Sequence, residues 1–140
     1  MARTVLDDLT LPPYAELLGW RLLDASPEEG RLRLGFDGKA EFCNLSGRVQ
    51  GGFLAAMLDP AMAATFFMMS EGRLYTSTVS LAMNFLAAAR PGPVIAEARV
   101  THLGKTIGFV EGKLLAEDGT VLATATASER LLEAAKTLRA

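Results

Sequence analysis

Alternation between polar and apolar side chains predicts most of the regular structure of this chain. Residues 31–36 read Arg-Leu-Arg-Leu-Gly-Phe, so one face of an extended segment carries arginine and the other carries leucine and phenylalanine. Such a segment is typical of a strand that covers a core with one side only. Similar patterns predict further strands at 20–25, 74–88, 94–103, 106–116 and 121–130.

Short turn motifs separate the predicted strands. Residues 26–30 read as a turn, Gly104-Lys105 separates the fourth strand from the fifth, and Asp118-Gly119 is a strong hairpin motif before the sixth. Hairpin-length connections join antiparallel strands, because parallel neighbours need a long crossover. We therefore predict an antiparallel sheet of about six strands.

One long segment does not alternate. Residues 51–69 read GGFLAAMLDPAMAATFFMM and contain a single ionisable side chain, Asp59, beside Pro60. The length approaches that of a membrane span. A carboxylate near the middle is costly in a bilayer, and the strand patterns that follow are those of a water-soluble domain. We therefore expect a long central apolar helix over about 51–70 and no membrane partner.

Shorter helices are predicted at both ends of the chain. Residues 6–18 have an amphipathic pattern interrupted early by two prolines, with Gly19 as the end of the helix, and residues 131–139 predict a short C-terminal helix. With the sheet, these elements give the α+β class, in one domain over 1–140. Because a small sheet covers only part of an apolar helix, we expect a second copy of the chain to pack alongside.

Composition and charge restrict the partners. The chain has 140 residues, 50% of them hydrophobic, and a formal net charge of -2, so no nucleic-acid partner is expected. The single cysteine, Cys43, excludes an internal disulfide, and the first ten residues contain no continuous apolar stretch of the secretory type. A cytoplasmic location is the expectation.

Asp59 is the first candidate for chemistry. A carboxylate deep in an apolar helix is costly unless it is paired or protonated, which is the profile of a general base or nucleophile. In the alternative interpretation, Asp59 faces a solvent gap or caps a local helix start, with Pro60 at the first helical position. The sequence alone does not decide between these two interpretations of Asp59.

The glycine pair Gly51-Gly52 is the second candidate. Unpaired N–H groups at a helix N-terminus favour an oxygen that gains negative charge, although a plain turn is the commoner reason for such a pair. At about 1.5 Å and about 100° per residue, Gly51 and Asp59 lie roughly 12 Å apart with an 80° offset. A single carbonyl group cannot contact both in one chain, so a shared site requires two subunits.

The remaining candidates are weaker. His102, the only histidine, has the same strand parity as Val94 and Val100 and is interpreted as structural. One histidine and one cysteine give no set of metal ligands, so no metal site is predicted. Cys43 lacks a neighbouring histidine in sequence and is interpreted as a quiet thiol.

The segment from Asn44 through Gly47 to Gln50-Gly51-Gly52, followed by Asp59, resembles the hotdog-fold acyl-CoA thioesterases, specifically the phenylacetic acid degradation (PaaI)-like group. Residues 78–86 and 90–92 resemble the first strand after the helix in that group. The similarity covers about 31–130.

The resemblance implies a hotdog fold, in which the sheet wraps around the long helix, and a homodimer or homotetramer with active sites at the subunit interface. It implies an acyl-CoA substrate and no cofactor, since CoA is part of the substrate. The positions that match the family's catalytic residues are Asp59 as base or nucleophile, Gly51 as N–H donor to the thioester oxygen, and Asn44. The substrate-binding positions are Gln50, Gly52 and the hydroxyl of Ser77 or Thr78, of which Thr78 is favoured.

One position departs from that pattern. Gln50 stands where the family most often has histidine, and glutamine cannot exchange a proton near neutral pH. The main hypothesis is therefore an acyl-CoA thioesterase that rests on Asp59. The alternatives are a non-catalytic acyl-CoA-binding protein with a modified site and a purely structural oligomer, while a hydratase is disfavoured because His102 is badly placed.

Overall fold

Six strands and three α-helices make up the computed structural model, which describes residues 1–138. The strands are β1 (Arg21–Ser26), β2 (Arg31–Gly38), β3 (Leu74–Phe85), β4 (Gly92–Leu103), β5 (Ile107–Ala116) and β6 (Val121–Glu133). Within the described residues they form one antiparallel sheet in the order β1-β2-β4-β5-β6-β3. The predicted sheet and its hairpins after β4 and β5 are confirmed.

The helices are α1 (Pro13–Leu18), α2 (Gly51–Met69) and α3 (Ala134–Thr137). By length and composition α2 could cross a membrane, but here it lies against one face of the sheet and supplies much of the core. Its buried side chains are Leu54, Met57, Leu58, Ala61, Met62, Thr65, Phe66 and Met68. The prediction of a central apolar helix in an α+β hotdog fold is confirmed.

Two glycines of β5 let the helix approach the sheet closely. A Cβ atom at Gly108 would overlap the ring of Phe66, and one at Gly112 would lie 2.9 Å from Leu58 Cδ1. Both glycines are on the face of β5 that carries the buried Val110. The large side chains of α2 therefore fill the space that strand side chains would otherwise occupy.

The helix continues through Pro60 without a break. Proline has no backbone N–H and therefore removes one hydrogen bond from a helix interior. Here the turns on both sides are packed, and the helix remains continuous. Asp59 therefore does not cap a second helix start, so that part of the alternative interpretation is wrong. The other part, that Asp59 faces solvent, agrees with its half-buried side chain.

The prediction of one helix over 6–18 is also wrong. Val5–Asp8 forms a 3-10 turn, and α1 starts only at Pro13. Proline is suited to the first turn of a helix but cannot lie within one without losing a hydrogen bond, so Pro12 and Pro13 divide the segment. Gly19 ends α1 as predicted, with a left-handed φ of 76°.

Two predicted boundaries near the sheet edge are wrong. Residues 131–133, expected in the C-terminal helix, extend β6 because β3 starts at Leu74 and offers them partners. That helix is limited to α3, and Arg139 lies outside the described residues. The other strand, β3, ends at Phe85 rather than at residue 88, since the next two N–H groups both donate to the Leu122 carbonyl.

Candidate active site

The carboxyl group of Asp59 lies on the side of α2 that faces β3. Its side chain is half-buried, and its Oδ1 accepts a hydrogen bond of 2.8 Å from the Thr78 hydroxyl. The sequence places these residues on different elements, and the fold brings them together. A carboxylate with one oxygen held and the other able to meet solvent has the geometry of a general base.

Strand register decides which hydroxyl reaches Asp59. Thr76 and Thr78 share the parity of β3 that faces Glu129 and α2, whereas Ser77 between them points to the opposite face. Thr76 is buried, and Thr78 is exposed although its hydroxyl reaches Asp59. Ser77 makes no side-chain hydrogen bond within residues 1–138. Of the two hydroxyl candidates, the structure therefore brings Thr78 to the carboxylate and leaves Ser77 on the other face.

A second carboxyl group, Glu129 on β6, lies behind Thr78. Glu129 is the direct cross-strand partner of Thr78, and its Oε1 is 3.1 Å from the Thr78 hydroxyl and 3.3 Å from the Thr76 hydroxyl. Burial raises the pKa of Glu129, the hydrogen bond from Thr78 lowers it, and the charge of Asp59 raises it. The net effect is a pKa above the ordinary value.

Glu129 is not among the residues predicted from the sequence, although the sequence contains a signal for it. Along β6 the inward parity reads Ala123, Ala125, Ala127 and then Glu129. An acid on the apolar parity of an amphipathic strand is a candidate buried carboxyl group.

Tyr14 of α1, which is exposed at the surface, was not predicted from the sequence. It is close enough to Asp59 and to Tyr75 of β3 for their charges to act on it. Partial burial raises the pKa of Tyr14 above 10.0, and the negative charges of Tyr75 and Asp59 add to the effect.

The glycine pair forms the other end of the candidate site. Gly51 is the first residue of α2, Gln50 is the N-cap residue, and the Gln50 side chain makes no capping hydrogen bond. Within residues 1–138 no acceptor is bonded to the Gly51 or Gly52 N–H. The ring of Phe85 lies against Gly51, where a Cβ atom would be 3.2 Å from its Cζ. The helix N-terminus is therefore an open N–H donor next to an aromatic ring.

Asn44 shapes the loop before α2. Its Oδ1 accepts hydrogen bonds from the backbone and the hydroxyl of Ser46, at 2.9 Å and 2.6 Å, and from the Arg48 N–H at 3.3 Å. An isolated antiparallel β-bridge between the backbones of Cys43 and Val49 closes the same loop. The amide oxygen of Asn44 is thus committed to the loop, and its exposed NH₂ group is the part that can meet a ligand.

The candidates fall into two groups within one chain. Asp59, Thr78 and Glu129 lie midway along α2, and Asn44, Gln50 and the glycines lie at its N-terminus, roughly 12 Å away along the helix axis. No single carbonyl group can contact both groups of one chain.

His102 stands apart from both groups, whereas Cys43 lies in the loop that carries Asn44. A bulge in β4 between Val100 and His102 shifts the parity, so His102 is paired with Phe109 on the outer face and its ring is 6.2 Å from the Phe109 ring. The predicted parity of His102 is therefore wrong. In the described part of the chain, no three His, Cys, Asp or Glu residues are grouped to hold a metal ion.

Comparison with protein families identifies the chain. Residues 46–123 match the family model of the thioesterase superfamily. The chain belongs to the thioesterase superfamily. A phenylacetic acid degradation-related protein of Ralstonia eutropha JMP134 is 33% identical, with a TM-score of 0.83, over 88% of this chain and 92% of that one. The superfamily member is thus similar in sequence and structure to the group that its Asn44-to-Asp59 motif resembles.

More distant solved structures share the fold. The PaaI protein from the phenylacetic acid degradation operon of Escherichia coli is 20% identical, with a TM-score of 0.79, over 88% of this chain and 86% of that one. A Streptococcus mutans protein bound to acetyl CoA is 16% identical, with a TM-score of 0.73, over 83% of this chain and 90% of that one. A comparison with curated proteins finds no match.

Proposed function

We propose that this thioesterase superfamily member hydrolyses acyl-CoA thioesters to a free acid and CoA, without a cofactor. The observation that carries the proposal is the Asp59 carboxylate, held by Thr78 at 2.8 Å on the central helix of a hotdog fold. The acetyl CoA bound by the Streptococcus mutans protein of the same fold supports a CoA ester as substrate.

Asp59 acts in this proposal as a general base. Its carboxylate removes a proton from a water molecule as the water oxygen attacks the thioester carbonyl carbon. The C–S bond then breaks, CoA leaves as the thiolate, and the proton returns to the leaving sulfur. Direct attack by Asp59 to form an anhydride is the other role open to a carboxylate, and the Thr78 hydrogen bond serves either one.

The developing oxyanion needs donors that are already in place. The N-terminus of α2 offers the unpaired Gly51 N–H and the positive end of the helix dipole, and both stabilise negative charge on the former carbonyl oxygen. The Asn44 amide and the Gln50 side chain are both exposed in the segment that leads into α2, and they are suited to orient the thioester. Gln50 can donate a hydrogen bond there without exchanging a proton.

A complete site needs a second subunit. Asp59 and Gly51 of one chain are too far apart to serve one carbonyl group, so we propose that Gly51 of one subunit and Asp59 of its partner share each site. The strand β3 supports this arrangement, because one of its edges is unpaired in the sheet of residues 1–138 and its faces expose Val79 and Phe85, which are 63% and 53% exposed. Pairing of β3 with its copy would cover this edge and bring the two α2 helices side by side.

A thiol-release assay tests the proposal. DTNB reports free CoA from a panel of short-chain, long-chain and aryl-acyl CoA esters, and the wild type is expected to release thiol from at least one class. Asp59→Asn and Asp59→Ala should lower the rate by at least about 10²-fold, the usual contribution of a general base. Asp24→Asn, at an exposed strand position, is the matched control that should keep the wild-type rate.

Binding distinguishes the alternative in which Gln50 marks a modified, non-catalytic site. Calorimetry with each CoA ester would then give tight binding while DTNB gives no thiol. A protein that neither binds nor hydrolyses any ester of the panel would be a structural oligomer. Unchanged turnover in Asp59→Asn would contradict the assignment of Asp59.

A further inference from the structure

Glu129 is a fully buried carboxyl group that the proposed reaction does not itself require. It is 0% exposed, and its Oε2 atom has no hydrogen-bond partner in the described residues. No lysine, arginine or histidine within residues 1–138 forms an ion pair with it. An ionised carboxylate in such a place is costly, because neither a cation nor a full set of donors compensates its lost hydration.

The number of hydrogen atoms available for hydrogen bonds also indicates that this cluster holds an additional proton. Three short contacts join the group: Thr78 to Asp59 at 2.8 Å, Thr78 to Glu129 at 3.1 Å, and Thr76 to Glu129 at 3.3 Å. The two threonine hydroxyls supply only two hydrogen atoms, and Thr78 can donate to only one carboxyl group at a time. One additional proton, on Glu129 Oε1, makes every contact a hydrogen bond.

We propose that Glu129 is held as a neutral carboxylic acid that donates its Oε1–H to Thr78, and that it thereby fixes the Thr78 hydroxyl as a donor to Asp59. Glu129 is then a positioning residue, because it acts on Asp59 only through Thr78. Its effect on turnover rests on the function proposed above, whereas its protonation state does not.

The arrangement fixes the orientation of the base. With the Thr78 hydrogen committed to Oδ1 of Asp59, the plane of the Asp59 carboxylate is held. Its Oδ2 accepts no hydrogen bond from residues 1–138 and is the oxygen available for the attacking water. The raised pKa of Glu129, caused first by burial, agrees with a neutral acid at this position.

Loss of the Glu129 proton should uncouple the two carboxyl groups. The ionisable groups near this cluster are Asp59 from α2, Tyr14 from α1 and Tyr75 from β3, while β5 places Gly108 opposite Glu129. Once Glu129 ionises, both carboxylates compete for the single Thr78 hydrogen. Asp59 then loses its fixed orientation, so kcat/KM falls on the alkaline side.

Infrared spectroscopy tests the protonation state without an activity assay. We expect the wild type at neutral pH to show the carbonyl stretch of a protonated carboxylic acid, and Glu129→Gln to lack it. Asp59→Asn should keep the band. Absence of the band from the wild type, or its loss in Asp59→Asn but not in Glu129→Gln, would overturn the proposal. This result is independent of whether any thioester is hydrolysed.

The pH profile tests the positioning role. Glu129→Gln keeps a donor to Thr78 but cannot ionise, so its kcat/KM should lose the alkaline decline that the wild type shows. Tyr14→Phe should keep the decline, which excludes Tyr14 as its source. An alkaline decline that persists in Glu129→Gln would overturn the positioning role.

A double-mutant cycle tests that Glu129 acts through Thr78. Glu129→Ala in the otherwise wild-type chain should lower kcat/KM by about 10–100-fold, the loss typical of a residue that orients a functional group. In the Thr78→Val background it should have an effect of less than about threefold. Equal effects in both backgrounds would overturn the pathway through Thr78. Circular dichroism on each variant identifies any that fail to fold, and the Glu129→Gln profile then decides the question alone.

Discussion

Thr78 on β3 donates a 2.8 Å hydrogen bond to Asp59 on α2, across nineteen positions of sequence. This bond joins the edge strand of the sheet to the one carboxylate in the central helix. The same strand carries the apolar surface that a second subunit would cover. The proposed base is therefore anchored to the element that would also form the dimer.

The Thr78 hydroxyl should matter for activity more than for folding. Thr78→Val keeps the shape of the side chain and removes the donor to Asp59, so kcat/KM should fall by about 10–100-fold. Thr78→Ser keeps a hydroxyl and should retain most of the activity. Steady-state thiol release measures both variants. Equal losses in the two would show that the hydroxyl is not what the reaction needs.

The Gly51 N–H can be removed without disturbing the helix. Proline is favoured at the first helical position, which Gly51 occupies, so Gly51→Pro should fold and yet lack the donor. Loss of one oxyanion donor should lower kcat by about 10²–10³-fold. Gly51→Ala adds the same Cβ atom beside Phe85 but keeps the N–H, and should lose much less. If alanine and proline reduce kcat equally, crowding rather than the N–H is responsible.

Close approach of α2 to β5 predicts a stability difference between two strand glycines. Gly108→Ala would drive a methyl group into the Phe66 ring and should lower the free energy of unfolding by about 1–3 kcal/mol. Gly35→Ala would meet the far end of the long Arg21 side chain, at 3.1 Å, rather than a packed ring, and should lower the free energy of unfolding far less. Urea denaturation monitored by circular dichroism compares them. Similar losses would contradict the packing described for β5.

The buried Glu129 predicts a pH dependence of stability. Its folded pKa is raised above the unfolded value near 4.5, so its stabilising contribution is complete below that pH and declines as the pH rises through the folded pKa. The free energy of unfolding of the wild type minus that of Glu129→Gln should therefore decrease with rising pH. Urea titrations at a series of pH values measure this difference. A difference that increases with pH would contradict the direction of the shift.

Local patterns were sufficient for the sheet and the central helix. Alternation and the Gly104-Lys105 and Asp118-Gly119 turns gave the strands, because hairpins are determined by neighbouring residues. Pro12 and Pro13 are visible in the sequence too, but the amphipathic pattern around them predicts one helix where a 3-10 turn and a short α-helix form. The end of β6 depended on where β3 begins, a tertiary effect that local periodicity does not contain.

The same limit applies to the candidate site. Asp59 and Gly51 stood out because a charge and a glycine pair are unusual in that helix. Glu129 was overlooked because its meaning depends on Thr78 opposite it, and this pairing exists only in the folded sheet. The predicted strand face of His102 is wrong for a similar reason, because the alternation of residue types does not reveal the bulge in β4.

Mixed dimers test the central claim, a site shared between Gly51 of one subunit and Asp59 of its partner. Asp59→Asn and Gly51→Pro are each expected to be inactive alone. After co-refolding in equal amounts, a mixed dimer would contain one intact site, so about a quarter of the wild-type activity per subunit should return. Failure of mixing to restore activity, with mixed dimers demonstrated by mass spectrometry, would contradict the shared site.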